Sequence, residues 1–195
     1  MNTVQQILNI ATTTESVVVK VATEPDWPRL HVILARNFAE DSFMRHTPAD
    51  YKIHEHELEN TFNIVVRNEK ILGQVVLIAK DSSDLDGDFI GYLSGSTIGT
   101  KRQPHVATFH MWVEPESRGK RVGYRLVQEF INWCSNIQLI QKIELDVMAN
   151  NDVGLSLYKK FGFEVEGRRK KTALKNGEYF DLVQMGLWLK KTTLN

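Results

Sequence analysis

Residues 113–126 read Val-Glu-Pro-Glu-Ser-Arg-Gly-Lys-Arg-Val-Gly-Tyr-Arg-Leu, a stretch that suits either an ordinary solvated turn or an anion site at a helix start. The β-branched and aromatic run Val106–Val113 leads into it and predicts a strand. Beyond it, Val122, Leu126, Val127, Phe130, Ile131 and Cys134 recur at helical spacing. The order is therefore strand, turn, helix. The first N–H groups of a helix have no partners within it and carry the positive end of its dipole, so a turn that points them outward is a natural cradle for a diphosphate. Arg118, Lys120 and Arg121 add positive charge there, and Gly119 and Gly123 keep side chains out of the way. Two common nucleotide loops do not fit, because neither Gly-x-x-x-x-Gly-Lys-Ser/Thr nor Gly-x-Gly-x-x-Gly is present in this segment.

The rest of the chain supplies the elements around that turn. Val17, Val18, Val19 and Val21 predict a first strand, and Leu30, Ile33, Leu34 and Phe38 a helix with Asp26 as its N-cap and Pro28 in its first turn. Thr47, Pro48 and Asp50 resemble the start of a second helix showing Tyr51, Leu58 and Phe62 on one side; residues 61–66 could instead pair with 71–78. The Asp-, Ser- and Gly-rich stretch 81–88 lies between the apolar runs 72–79 and 89–93 and reads as a hairpin loop. A calcium loop starting at Ser82 would need a closing carboxylate where Leu93 stands. Lys142–Met148 alternates as a strand, 153–161 reads as a short helix ended by Gly162, and 163–165 and 182–189 are strand-like. Alternating strands and helices predict a single α/β (α+β) domain over 17–195, with about four helices and six or seven strands; residues 1–16 form a leader or an accessory helix.

Lys plus Arg and Asp plus Glu number 24 each, so no net field draws the chain to nucleic acid or an anionic membrane. The basic run 168–171, with Lys175 nearby, lacks the interleaved aromatics of a nucleic-acid surface, and His54-Glu55-His56-Glu57 is not a zinc motif. No metal site is expected. No apolar run reaches the ~20 residues that span a bilayer, the first 16 residues lack the pattern of a secretion signal, and Cys134 is the only cysteine. The expectation is a cytoplasmic protein, with Cys134 a small core residue.

Arg118 to Gly123 resembles the acetyl-CoA signature Arg/Gln-x-x-Gly-x-Gly/Ala of the GCN5-related N-acetyltransferases, which opens that family's third helix. Arg118 and Gly123 fill its first and last places, and Arg121 stands where the pattern has its first glycine. A right-handed helical backbone at Arg121 would make that departure harmless, and that conformation is the expectation. A second block, from Leu145 to Asn151, then Leu157-Tyr158, Phe161-Gly162-Phe163, Glu166-Gly167, Asp181 and Met185, is similar to the end of the same fold, especially in its ribosomal-protein and polyamine acetyltransferase-like branches.

The resemblance implies a mixed, mostly antiparallel sheet splayed between its fourth and fifth strands. It implies transfer of acetyl from acetyl-CoA to a primary amine, on a peptide N-terminus, a polyamine or another small amine. Coenzyme binding would fall to Arg118, Gly119, Lys120, Arg121, Val122 and Gly123, to the strand edge Met111, Trp112 and Val113, and to Asn151. Tyr158 would protonate the departing thiolate, and Asn151 and Tyr158 lie about two helical turns apart. The attacking amine must be neutral although its pKa is ~10, which calls for a base. Asp146, His110 or a water remain open for that role. A CoA-binding sensor or a basic-hairpin nucleic-acid binder are the rival classes, and a homodimer is compatible with either outcome.

Overall fold

The computed structural model describes residues 16–40, 73–175 and 177–190. The helix read at 47–62, the alternative pairing of 61–66, the His-Glu run at 54–57 and residues 1–15 lie outside them. Strand β1, Val17–Val21, turns Val17, Val19 and Val21 inward, the period of two that its valine run demands. Helix α1, Trp27–Ala39, buries Leu30, Ile33, Asn37 and Phe38.

Asp26 holds the N-cap position of α1, with Pro28 in the first turn, as expected, but its side chain makes no capping bond to the helix. A short 3₁₀ turn, Glu24–Asp26, precedes the helix, and the Asp26 carboxylate turns back to accept from Thr23 N at 2.8 Å, Thr23 Oγ1 at 2.8 Å and Lys20 Nζ at 2.8 Å. A cation from the adjacent strand draws the carboxylate away from the amides of the following helix.

Strands β2, Gln74–Asp81, and β3, Gly91–Thr97, form the hairpin around the acidic loop, in which Asp81 accepts from Ser83 N at 2.9 Å. Both lie about two residues later than their apolar runs suggest. Phe89 falls outside the strand, because its ring is buried with Trp112 and Tyr92 on the α1 side of the sheet. Strands β4, Val106–Val113, and β5, Lys142–Met148, match the sequence reading residue for residue. Helix α2, Val122–Asn136, connects them, and α3, Asp152–Lys160, leads from β5 into the final hairpin of β6, Glu164–Lys175, and β7, Glu178–Trp188.

The seven strands run in the order β1-β2-β3-β4-β5-β7-β6, and every pairing is antiparallel except β4 with β5. On one face α2 and α3 cover the main core, which holds Phe109, Leu126, Phe130, Cys134, Ile143 and Leu145. On the other, α1 covers Val76, Ile78, Tyr92 and Trp112. Helix α2 lies close to the sheet because β3 offers no side chain at Gly95, where a Cβ would come within 2.1 Å of the Phe130 ring. Among the described residues there are three α-helices, and none is long and apolar enough to cross a membrane.

Candidate active site

The parallel ladder between β4 and β5 is short. It joins Val106 to Lys142, Ala107 to Ile143 and Thr108 to Glu144, and then ends, although both strands continue. The sheet therefore opens into a V at Phe109. On its far edge β4 remains paired with β3 up to Val113, so along 109–113 alternate backbone groups face the opening. Met111 and Val113 turn their side chains toward the α2 face, while Trp112 is buried beneath α1.

At the top of the V the chain makes a 3₁₀ turn, Pro115–Ser117, and enters α2. Arg125 N donates to Arg121 O at 3.0 Å, so the amides from Gly119 to Tyr124 precede the regular ladder. Gly119 has φ 77°, and a Cβ there would meet nothing within 4 Å, which leaves its backbone open to a bulky anion. Gly123 sits beside the slot, where a Cβ would stand 3.4 Å from Met111 Cε and from Leu157 Cδ2. Lys120 and Arg121 are exposed at the same place.

Arg121 overturns one expectation. Its backbone is left-handed, at φ 65° and ψ 11°, not right-handed helix. The position needs the conformation that glycine adopts freely, and a non-glycine residue there stores about 1 kcal/mol. The Arg121 guanidinium lies 5.0 Å from the centre of the Tyr124 ring, a cation–π contact that offsets part of that cost.

Arg118 is turned to the protein. Its Nε donates to Val113 O at 3.0 Å and its Nη2 to Glu40 Oε2 at 2.6 Å. Glu40 was not singled out from the sequence, since its partners stand 72 and 78 positions away and nothing local marks it.

Tyr158 lies at the point of the V. Its ring packs edge-on against Phe109, the first residue past the ladder, at 5.8 Å, and against Phe163 at 5.8 Å. Burial pushes its hydroxyl pKa up to about 12, so the phenol keeps its proton at neutral pH. Asn151 caps α3, its Oδ1 accepting from Gly154 N at 2.9 Å.

Across the opening, the ladder's last pair is Thr108 with Glu144, and two residues further along each strand stand His110 and Asp146. Both are exposed, on the sheet face opposite Phe109 and Leu145. The Asp146 carboxylate accepts from Arg169 Nη2 of β6. Arg168 Nε donates to Asp181 Oδ2 at 2.7 Å and Lys171 N to Asp181 Oδ1 at 2.8 Å, so acids of β5 and β7 partly neutralise the basic run.

A family model described as the acetyltransferase (GNAT) family matches residues 27–163. The chain belongs to that family. The L-amino acid N-acetyltransferase AaaT of Escherichia coli is 40% identical over 101 residues, which are 52% of this chain and 62% of that relative, so the match spans less than two thirds of its length. Among solved structures, a GNAT-family acetyltransferase from Streptococcus pneumoniae superposes with a TM-score of 0.78 at 22% identity, covering 89% of this chain and 99% of its own. A phosphinothricin acetyltransferase from Sinorhizobium meliloti, solved in complex with AcCoA, gives 0.75 at 21% identity, with 92% of each chain covered. The described residues thus share the fold of both solved acetyltransferases.

Proposed function

We propose that this protein transfers the acetyl group of acetyl-CoA to a primary amine, and that it does so by direct attack without a covalent enzyme intermediate. The observation that carries the reading is the placement of Tyr158 at Phe109, where the β4–β5 ladder ends, below a strand edge that leads up to the open amides of 119–124. The coenzyme supplies an activated thioester; the chain supplies position and protons. The amides and Lys120 and Arg121 suit the diphosphate, and the unpaired edge at Met111, Trp112 and Val113 suits the amide groups of the pantetheine arm as an added strand would. Asn151, beyond its capping bond, borders that arm from the α3 side.

In the transfer a nitrogen lone pair forms the new C–N bond, the C–S bond breaks, and the sulfur leaves as a thiolate. Tyr158 is protonated at neutral pH and hands that thiolate its proton, while the nitrogen, left cationic by its attack, sheds one proton to water as the amide forms, and a proton from water restores the phenol. The incoming ammonium must first lose a proton. His110 and Asp146 flank the mouth on the face toward α1, and water held between them carries that proton away, with Arg169 fixing the Asp146 carboxylate. Cys134 is fully buried in the core beneath α2 and takes no part.

The acceptor most in keeping with the Escherichia coli relative is the α-amine of a free amino acid. Peptide N-termini and spermidine are the competitors. Acting on acetyl-CoA also suits a cytoplasmic protein. The test is calorimetry with acetyl-CoA, followed by mass spectrometry of products from a panel of L-amino acids, N-terminal peptides and polyamines. Heat of binding and an acetylated amine are expected; no heat with acetyl-CoA would sink the reading.

A further inference from the structure

Glu40 closes α1 with its backbone fixed: its N–H donates to Arg36 O at 3.0 Å and to Asn37 O at 3.3 Å. From that anchored position one carboxylate oxygen, Oε2, accepts both Trp112 Nε1 at 2.5 Å and Arg118 Nη2 at 2.6 Å. The first donor belongs to the strand that borders the V, the second to the turn that opens onto α2. Arg118 Nε in turn donates to Val113 O at 3.0 Å, so the guanidinium is fastened by two groups that do not move independently. A guanidinium has five N–H donors in a rigid plane. These bonds use one edge of that plane, and Nη1 is left on the other side of a side chain that is 45% exposed.

We propose that Glu40 is a positioning residue for coenzyme binding: it holds Arg118 in the orientation from which the remaining N–H groups meet the diphosphate, and it ties that arginine to the acceptor-side helix. The inference rests on the acetyl-CoA reading above. Its physical basis is pre-organisation. A free arginine loses much of its side-chain freedom when it grips a phosphate, whereas one already held by a carboxylate and a carbonyl has lost that freedom on folding. The cost of a carboxylate beside a diphosphate is limited, because the charge of Glu40 is spent on two donors of its own.

The test is a double-mutant cycle on the full chain, read by the acetyl-CoA dissociation constant, with kcat at saturating coenzyme and thermal stability measured alongside. Glu40→Ala is expected to weaken acetyl-CoA about tenfold, the equivalent of one charge-assisted hydrogen bond, with kcat within about twofold of wild type. Arg118→Ala should weaken it by as much or more, and adding Glu40→Ala to Arg118→Ala should change nothing further. Losses that simply add would overturn the proposal, since a packing defect acts without Arg118. Binding that is unchanged or tighter in Glu40→Ala would also overturn it, by showing that the carboxylate competes with the diphosphate. Should Glu40→Ala fold poorly, Glu40→Gln keeps an oxygen for Trp112 and removes the charge, and a loss of about threefold that vanishes in Arg118→Ala is the expected result. A wild-type protein that binds no acetyl-CoA sinks the parent reading and this role with it; a wild type that binds while the cycle is additive sinks this role alone.

Discussion

The two sides of the V are made of different material. The side proposed for the coenzyme is main chain: the unpaired edge of β4 beyond Thr108 and the amides from Gly119 to Tyr124, with glycine or left-handed backbone at 119 and 121. The side proposed for the acceptor is side chain: His110 and Asp146 at the lips, Arg169 reaching over from β6. A surface of backbone groups recognises a ligand that never changes, and it tolerates changes of side chain provided φ and ψ survive. A surface of side chains can be respecified one residue at a time, which suits a family whose coenzyme is constant and whose acceptors differ.

Tyr158 stands where the two sides meet and gives the largest expected effect. Tyr158→Phe should lower kcat by about 10²- to 10³-fold while the acetyl-CoA dissociation constant stays within about twofold, since the ring remains and only the proton donor goes. Rapid-quench or steady-state kinetics with calorimetry would check this; full turnover in the variant removes the acid role. The same residue has a pH signature. Burial raises its pKa from 10.0 to about 12, so its contribution to stability is complete below pH 10 and is lost as the pH climbs through 12. The phenylalanine variant should be less sensitive to alkali in that window, and pH-dependent thermal melts would read it.

The lips come next. Asp146→Asn and His110→Ala should each reduce kcat/KM for the amine by about 10- to 100-fold and leave acetyl-CoA binding unaltered, and the one carrying the proton should remove the acid limb of the pH–rate profile. A loss of coenzyme affinity in either would blur the division between the two sides.

A smaller effect tests the coenzyme side. Gly119→Ala places a Cβ on a backbone at φ 77° and should cost about 1 kcal/mol of stability, with weaker acetyl-CoA binding if the turn shifts. Arg121→Gly should do the opposite at its left-handed position, raising stability by ~0.5–1 kcal/mol, less what the Tyr124 contact contributed, and retaining the coenzyme. Chemical denaturation of both variants reads the sign. A destabilised Arg121→Gly would mean that the side chain, not the backbone, is what the turn requires.

The same division explains what could be read before the fold was known. Val17–Val21, Val106–Val113 and Lys142–Met148 are legible because their apolar runs are fully in register with pairing on a buried sheet. Helix α2 is legible because one face of it is core. Strand β6 is not: only its first two residues belong to the short run read as a strand, yet it extends to Lys175 as an exposed edge whose bonds go to β7 and whose side chains carry no periodic pattern. The basic run 168–171 is the middle of that edge strand. Arg121 misled because residue type is a poor guide to φ when a turn overrides it, and Glu40 was invisible because its partners are distant in sequence.

Glu114 lies on the seam, directly after the last residue of β4, and gives the smallest and sharpest test. Its carboxyl is pushed above the ordinary glutamate range, first by burial; Arg36, with Nη1 at 3.6 Å from Oε1, opposes this, and Glu116, Glu40 and Asp88 reinforce it. Its Oε2 is buried without a hydrogen-bond partner. A raised folded pKa means that the folded state holds the proton more tightly than the unfolded one, so stability from this group is complete in acid and is lost as the pH rises through the folded value. The ionised side chain is therefore a net burden on the folded state. Glu114→Gln should raise stability by up to about 1 kcal/mol at neutral pH and by less near pH 4, where protonation lifts the burden from the wild type. Denaturation curves at the two pH values decide it. A gain of equal size at both would assign the effect to packing, and a loss at pH 7 would show that the Arg36 contact outweighs desolvation, making the seam an ion pair that helps hold the acceptor-side helix to the coenzyme strand.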